Sequence, residues 1–117
     1  MRLLLAFEED YTVYRDVIGG AIRAIRPHAT VSTSALAKLG EHIEALNPDL
    51  VISTQANSTD LGGRPAWVEL SVDPLRPTKI CVGGRRSERT NPSVEILLEV
   101  IDEVERAVGE GEYLRGC

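Results

Sequence analysis

Residues 47–70 read NPDLVISTQANSTDLGGRPAWVEL, and the way the chain travels between the two apolar runs in this stretch decides the fold. The first run, Leu50-Val51-Ile52, has the composition of a short strand buried on both faces. The second, residues 67–72, alternates apolar and polar as a half-buried strand does. Residues 55–66 between them contain Gly62, Gly63 and Pro65 and show no helical periodicity, so no crossover helix is expected there. The next apolar run, residues 79–82, follows only six residues later, whereas a parallel crossover takes about a dozen or more. The fourth and fifth strands are therefore expected to be antiparallel neighbours across a tight, proline-bound turn. The resulting expectation is a 3-4-5 meander in which the fourth strand runs antiparallel and the first, third and fifth strands finish at one edge.

Upstream, strand and helix patterns alternate. Arg2–Phe7 is a short apolar run followed by Glu8, Glu9 and Asp10. Tyr14, Val17, Ile18, Ala21, Ile22 and Ile25 recur at helical spacing and stop before Pro27, with Asp10 available as an N-cap. Residues 29–32 suit a strand. Leu36, Leu39, Ile43 and Leu46 mark one helix face between a Ser34 cap and Pro48. Downstream, Ile96, Leu97, Val100, Ile101, Val104 and Val108 form the apolar face of a last helix, with Asn91 as cap and Pro92 in its first turn. Its acids, Glu95, Glu99, Asp102, Glu103 and Glu105, suit a solvated face. The expected class is α/β: a βαβαβ start, the meander, and a C-terminal helix in three layers, as one domain over residues 1–117.

Composition narrows the function classes. The chain has 117 residues, a net charge of −5 and a pI near 5.0, and its basic residues are scattered except for Arg85-Arg86-Arg89, which argues against nucleic-acid binding. No apolar run approaches the roughly 20 residues of a bilayer span, and residues 3–7 are too short for the apolar region of a signal peptide. Cys81 and Cys117 make neither a disulfide framework nor a metal spacing. A reduced, cytoplasmic setting is the expectation.

The order of strand, acids, helix, strand, helix and the strand NPDLVIS, with a final helix, resembles the response-regulator receiver domain, a flavodoxin-like fold. The resemblance covers residues 1–54 and, more loosely, the last helix; the family's third and fourth helices are absent from the pattern. In that family an acidic pair after the first strand and an aspartate ending the third hold magnesium, and the aspartate accepts a phosphoryl group. Here Glu9 and Asp10 match the pair, with Glu8-Glu9 as the alternative register, and Thr54 stands at the acceptor position. A hydroxyl cannot form the acyl phosphate. The lysine that ends the family's fifth strand is replaced by Gly83-Gly84-Arg85-Arg86, and Lys79 and Ser71 are expected at the opposite edge.

Two functions follow as expectations. The first is a non-phosphorylated, receiver-like signalling or interaction module that binds a protein partner or itself, with Trp67 and Glu69 on a bare face of strands four and five as the homodimer interface. The second is a domain that binds an anion or phosphorylated metabolite at the edge of the sheet through Thr54, Asn57, Ser58, Arg85 and Arg86, because hydroxyls, amides and guanidinium forks suit such ligands. No nucleophile with a base, no cofactor fingerprint and no metal set is read, Glu9 and Asp10 being the only metal candidates. His28 and His42 read as surface residues and Cys81 as a small buried thiol.

Overall fold

Leu3, Leu4 and Leu5 are all buried, so the strand that carries them must be covered on both faces. The computed structural model describes residues 1–55, 65–73, 75–90 and 93–111. That first strand, β1 (Arg2–Phe7), lies inside a six-stranded sheet with β2 (Thr30–Ala35), β3 (Leu50–Ser53), β4 (Ala66–Glu69), β5 (Thr78–Val82) and β6 (Arg85–Arg89), in the order β2-β1-β3-β4-β5-β6. Helices α1 (Thr12–Ile25), α2 (Leu39–Leu46) and α3 (Val94–Gly109) supply the covers. Leu3, Leu5, Phe7, Ile52 and Val68 pack with Ile18 and Ile22 of α1 and with Leu97, Ile101 and Val104 of α3. The opposite face sets Leu4, Ala6, Val51 and Trp67 against Leu39 and Ile43 of α2. The architecture is therefore α/β, a mixed sheet with helices on both sides.

The expected direction of the fourth strand is wrong. β4 pairs with β3 in parallel, so β1 to β4 all point one way, and β5 is the strand that turns back. The connection over residues 54–65 is a dozen residues, the minimum that a parallel crossover needs; length, not helical periodicity, governs the return. The antiparallel pairing of β4 with β5 is as expected. β6 is an addition, exposed at every position and joined to β5 by Gly83 and Gly84 at φ of 57° and 81°. Positive φ at both central residues is the two-residue hairpin turn whose twist matches the flanking strands.

Local start signals also differ. Asp10 lies in a 3-10 turn, Glu9–Tyr11, where the bond from Thr12 Oγ1 to the Glu9 carbonyl (2.8 Å) does the local fastening. Ser34 belongs to β2 and donates to the Ala35 carbonyl, while Leu36–Lys38 forms a 3-10 turn before α2. Asn47, at φ 45°, ends α2 in the left-handed conformation that terminates many helices. The Asn91 and Pro92 cap falls outside the described residues, and α3 begins after Ser93. Leu97, Leu98, Val100, Ile101, Val104 and Ala107 bury its inner face, the larger side chains contributing about 1.5–3 kcal/mol each.

The acids of α3 do more than face water. Glu103 pairs with Arg85, His28 meets Glu105 at 2.8 Å, and Arg26 donates to both oxygens of Asp102 at 2.8 Å. Hydrogen bonding from Arg26, with its charge acting the same way, holds the Asp102 carboxyl below its usual value against the opposing effect of burial. A lowered folded pKa means that the pair stabilises above the unfolded value of about 3.9 and that the contribution is lost as pH falls through the folded value. Asp102→Asn should accordingly melt below the wild type near neutrality, with the gap closing under acid. A gap that is unchanged between about pH 6 and pH 2.5 would contradict the pairing.

Candidate functional site

With β1, β3 and β4 parallel, their C-terminal ends form one edge, and β5 starts there. This is the edge at which open parallel sheets hold ligands. A cleft of about 330 Å³ opens on it, lined by Glu8 beyond β1, Thr54 beyond β3, Glu69, Ser71 and Asp73 from β4 onward, and Arg76 and Lys79 from the approach to and start of β5.

Thr54 is held by what lies on either side of it. Ser53 is fully buried, and its Oγ accepts from the Gln55 backbone N–H at 3.1 Å. Trp67 Nε1 donates to the Gln55 carbonyl at 2.9 Å. Between these anchors, Thr54 Oγ1 is buried and has no hydrogen-bond partner among the described residues. Buried hydroxyls are nearly always bonded, because desolvating one without compensation costs about 1–3 kcal/mol. The opposite wall is a self-bonded turn. Ser71 Oγ donates to the Asp73 carbonyl at 2.9 Å and accepts from the Asp73 N–H at 3.2 Å, and Asp73 Oδ1 accepts from the Leu75 N–H at 2.9 Å. The Ser71 N–H is bound by the buried Thr78 Oγ1 at 3.0 Å. Arg76 approaches Asp73 to 3.8 Å. Lys79 stands opposite Glu69 on β4 and Glu88 on β6, yet its ammonium makes no ion pair among the described residues.

Several expected placements change. Arg85 and Arg86 begin β6 at the hairpin turn, which is the edge away from Thr54, and Arg85 is engaged with Glu103. They do not approach Glu9 or Asp10, because β5 runs opposite to its expected direction. The same reversal carries Lys79 to the cleft, and the parallel β4 carries Ser71 there. Asn57 and Ser58 fall outside the described residues. Trp67 is 3 % exposed and packs with Leu39 and Ile43, so the bare interface expected around it is covered; Glu69 faces the cleft instead. Cys81 is disulfide-bonded and not the free thiol expected, and such bonds belong mainly to oxidising compartments; Cys117 lies outside the described residues.

The magnesium that the receiver resemblance implies finds no ligand set. Glu9 and Asp10 sit in the exposed 3-10 turn and do not line the cleft, Thr54 offers no carboxylate, and no group of three His, Cys, Asp or Glu side chains among the described residues could hold a metal ion. No helix among the described residues is long and apolar enough to cross a membrane. No family model, curated protein or solved structure matches the chain.

Proposed function

We propose that the chain is a receiver-like signalling module that is not phosphorylated and whose edge cleft holds a small phosphorylated metabolite non-covalently. One observation carries this reading: Lys79, whose ammonium makes no ion pair among the described residues, and Thr54, whose buried hydroxyl has no partner among them, line one cleft at the C-terminal edge of the parallel strands. Lys79 and Arg76 suit a phosphate, and rotation of the Thr54 side chain toward the cleft would offer a hydroxyl with no competing partner among the described residues. Glu8 and Glu69 would repel a bare anion but accept hydrogen bonds from a ligand that also carries hydroxyls. The ligand class is thus a hydroxylated phosphate ester in preference to inorganic phosphate. Occupancy, and not a covalent phosphoryl group, would set the state of the module.

Thermal unfolding in the presence of sugar phosphates and glycerol phosphate tests the binding. The midpoint should rise with at least one of them, more than with inorganic phosphate, and Lys79→Ala should weaken the apparent affinity by about tenfold, the order expected for one charge-assisted contact. No rise with any of these ligands, or the same rise in Lys79→Ala, would remove the support for the cleft. Acetyl phosphate with Mg²⁺ tests the other half of the reading: the intact mass should be unchanged, and a stable phosphoryl adduct on Thr54 would defeat it.

A further inference from the structure

The outer face of α1 is apolar where solvent-facing helix surface is ordinarily charged. Val13 is 78 % exposed, Val17 64 % and Tyr14 43 %, and Gly20 and Ala24 continue the exposed stripe. A Cβ built on Gly20 meets nothing within 4 Å. The inward face, Ile18, Gly19 and Ile22, already supplies the contact with the sheet, and Tyr14, on the flank of the second stripe, packs edge-to-face on Phe7 with ring centroids 5.9 Å apart; Val13, Val17, Gly20 and Ala24 are left exposed among the described residues. Its spacing is that of a coiled-coil seam: residues 13, 17, 20 and 24 fall at alternating steps of four and three.

We infer that this face pairs with the same face of a second copy, the two α1 helices packing antiparallel about a two-fold axis. The argument is self-complementarity. In antiparallel register Val13 lies over the second copy's Ala24 and Val17 over the second copy's Gly20, so each large seam residue meets a small one. On one flank Tyr14 lies over the second copy's Ala21. On the other, Asp16 comes opposite the second copy's Arg23, and the two-fold repeats that opposite-charge pair. Both charges are accessible: Asp16 is exposed beyond its contact with Arg15 at 3.2 Å, and Arg23 is exposed while bonding the Val31 carbonyl at 3.1 Å. A single pair of helices, each about 21 Å long, buries less than a standard interface, so a reversible dimer with a dissociation constant of about 10–100 µM is expected. This pairing does not depend on the cleft or its ligand.

Sedimentation equilibrium on the full chain from about 5 to 500 µM tests it, against the micromolar affinity that a small interface allows. The wild type should pass from monomer to dimer in this range. Val17→Glu, at an exposed position that leaves the core intact, should remain monomeric throughout. Asp16→Arg should weaken the dimer at least about tenfold by opposing like charges, and Asp16→Arg with Arg23→Asp should restore it to within about threefold of the wild type. Circular dichroism confirms the fold of each variant. A wild type that is monomeric at every concentration, a dimer that Val17→Glu leaves intact, or a charge swap that fails to restore association would each overturn the inference.

Discussion

Trp67→Ala is expected to destabilise the fold by about 3–5 kcal/mol, the cost of truncating a packed aromatic side chain. The indole is 3 % exposed and joins the packing of Leu4, Ala6 and Val51 against Leu39 and Ile43 of α2. Its removal opens a cavity between the sheet and α2, and the rigid strands around it cannot close the gap. It also takes away the donor that holds the Gln55 carbonyl. With a urea slope of about 2 kcal/mol/M for a domain of this size, the midpoint should fall by about 2 M. Trp67→Phe separates the two contributions: it keeps most of the packing and should lose about 1 kcal/mol with the Nε1 bond. Far-UV circular dichroism follows both variants, since neither retains a tryptophan. A midpoint shift below about 0.5 M for Trp67→Ala would mean that the side chain is not packed between sheet and helix.

The same residue shows where sequence reasoning reached its limit. The apolar runs, helix faces and βαβαβ start are legible because burial imposes periods of 2 and 3.6 on the residues that form them. Strand direction leaves no such mark. Residues 67–72 would read alike running either way, and the lack of helical periodicity in residues 55–66 suggested a simple reversal where the chain makes a parallel crossover. From that one inversion came the displaced site: Arg85 and Arg86 were expected at the cleft, whereas Lys79 and Ser71 line it.

β6 was hidden for a different reason. Its sequence, RRSER, has no apolar position because no residue of this edge strand is buried, and charged residues on edges discourage unwanted pairing. The signal that could have found it was Gly83-Gly84 directly after an apolar strand, a two-residue hairpin turn. Thr54 was legible as the residue that follows the third strand. What could not be read was that its hydroxyl is buried without a partner among the described residues, because that depends on Ser53 and Trp67 fixing Gln55 from two sides.

Thr54→Val should therefore stabilise the unliganded chain, by about 1–2 kcal/mol. Most buried Thr→Val changes are unfavourable or neutral because they delete a hydrogen bond, but here the described residues give the hydroxyl no bond to lose. The substitution replaces a desolvated, unsatisfied hydroxyl with a methyl group of similar size, so what is gained is the relief of the desolvation penalty. Thr54→Ser is the control: it keeps the hydroxyl, loses the methyl, and should be destabilised by up to about 1 kcal/mol. If the hydroxyl is there to meet a ligand, Thr54→Val also weakens the stabilisation by phosphate esters, by about tenfold in apparent affinity, so that one substitution raises stability and lowers binding together. The two readouts separate the possibilities. Lower stability of Thr54→Val than of the wild type without ligand would show that Oγ1 is satisfied in solution, and the cleft would then lose the feature that marks it as a site. Higher stability with unchanged ligand protection would keep the orphaned hydroxyl but place the ligand elsewhere on the edge, at Lys79 and Arg76 without Thr54.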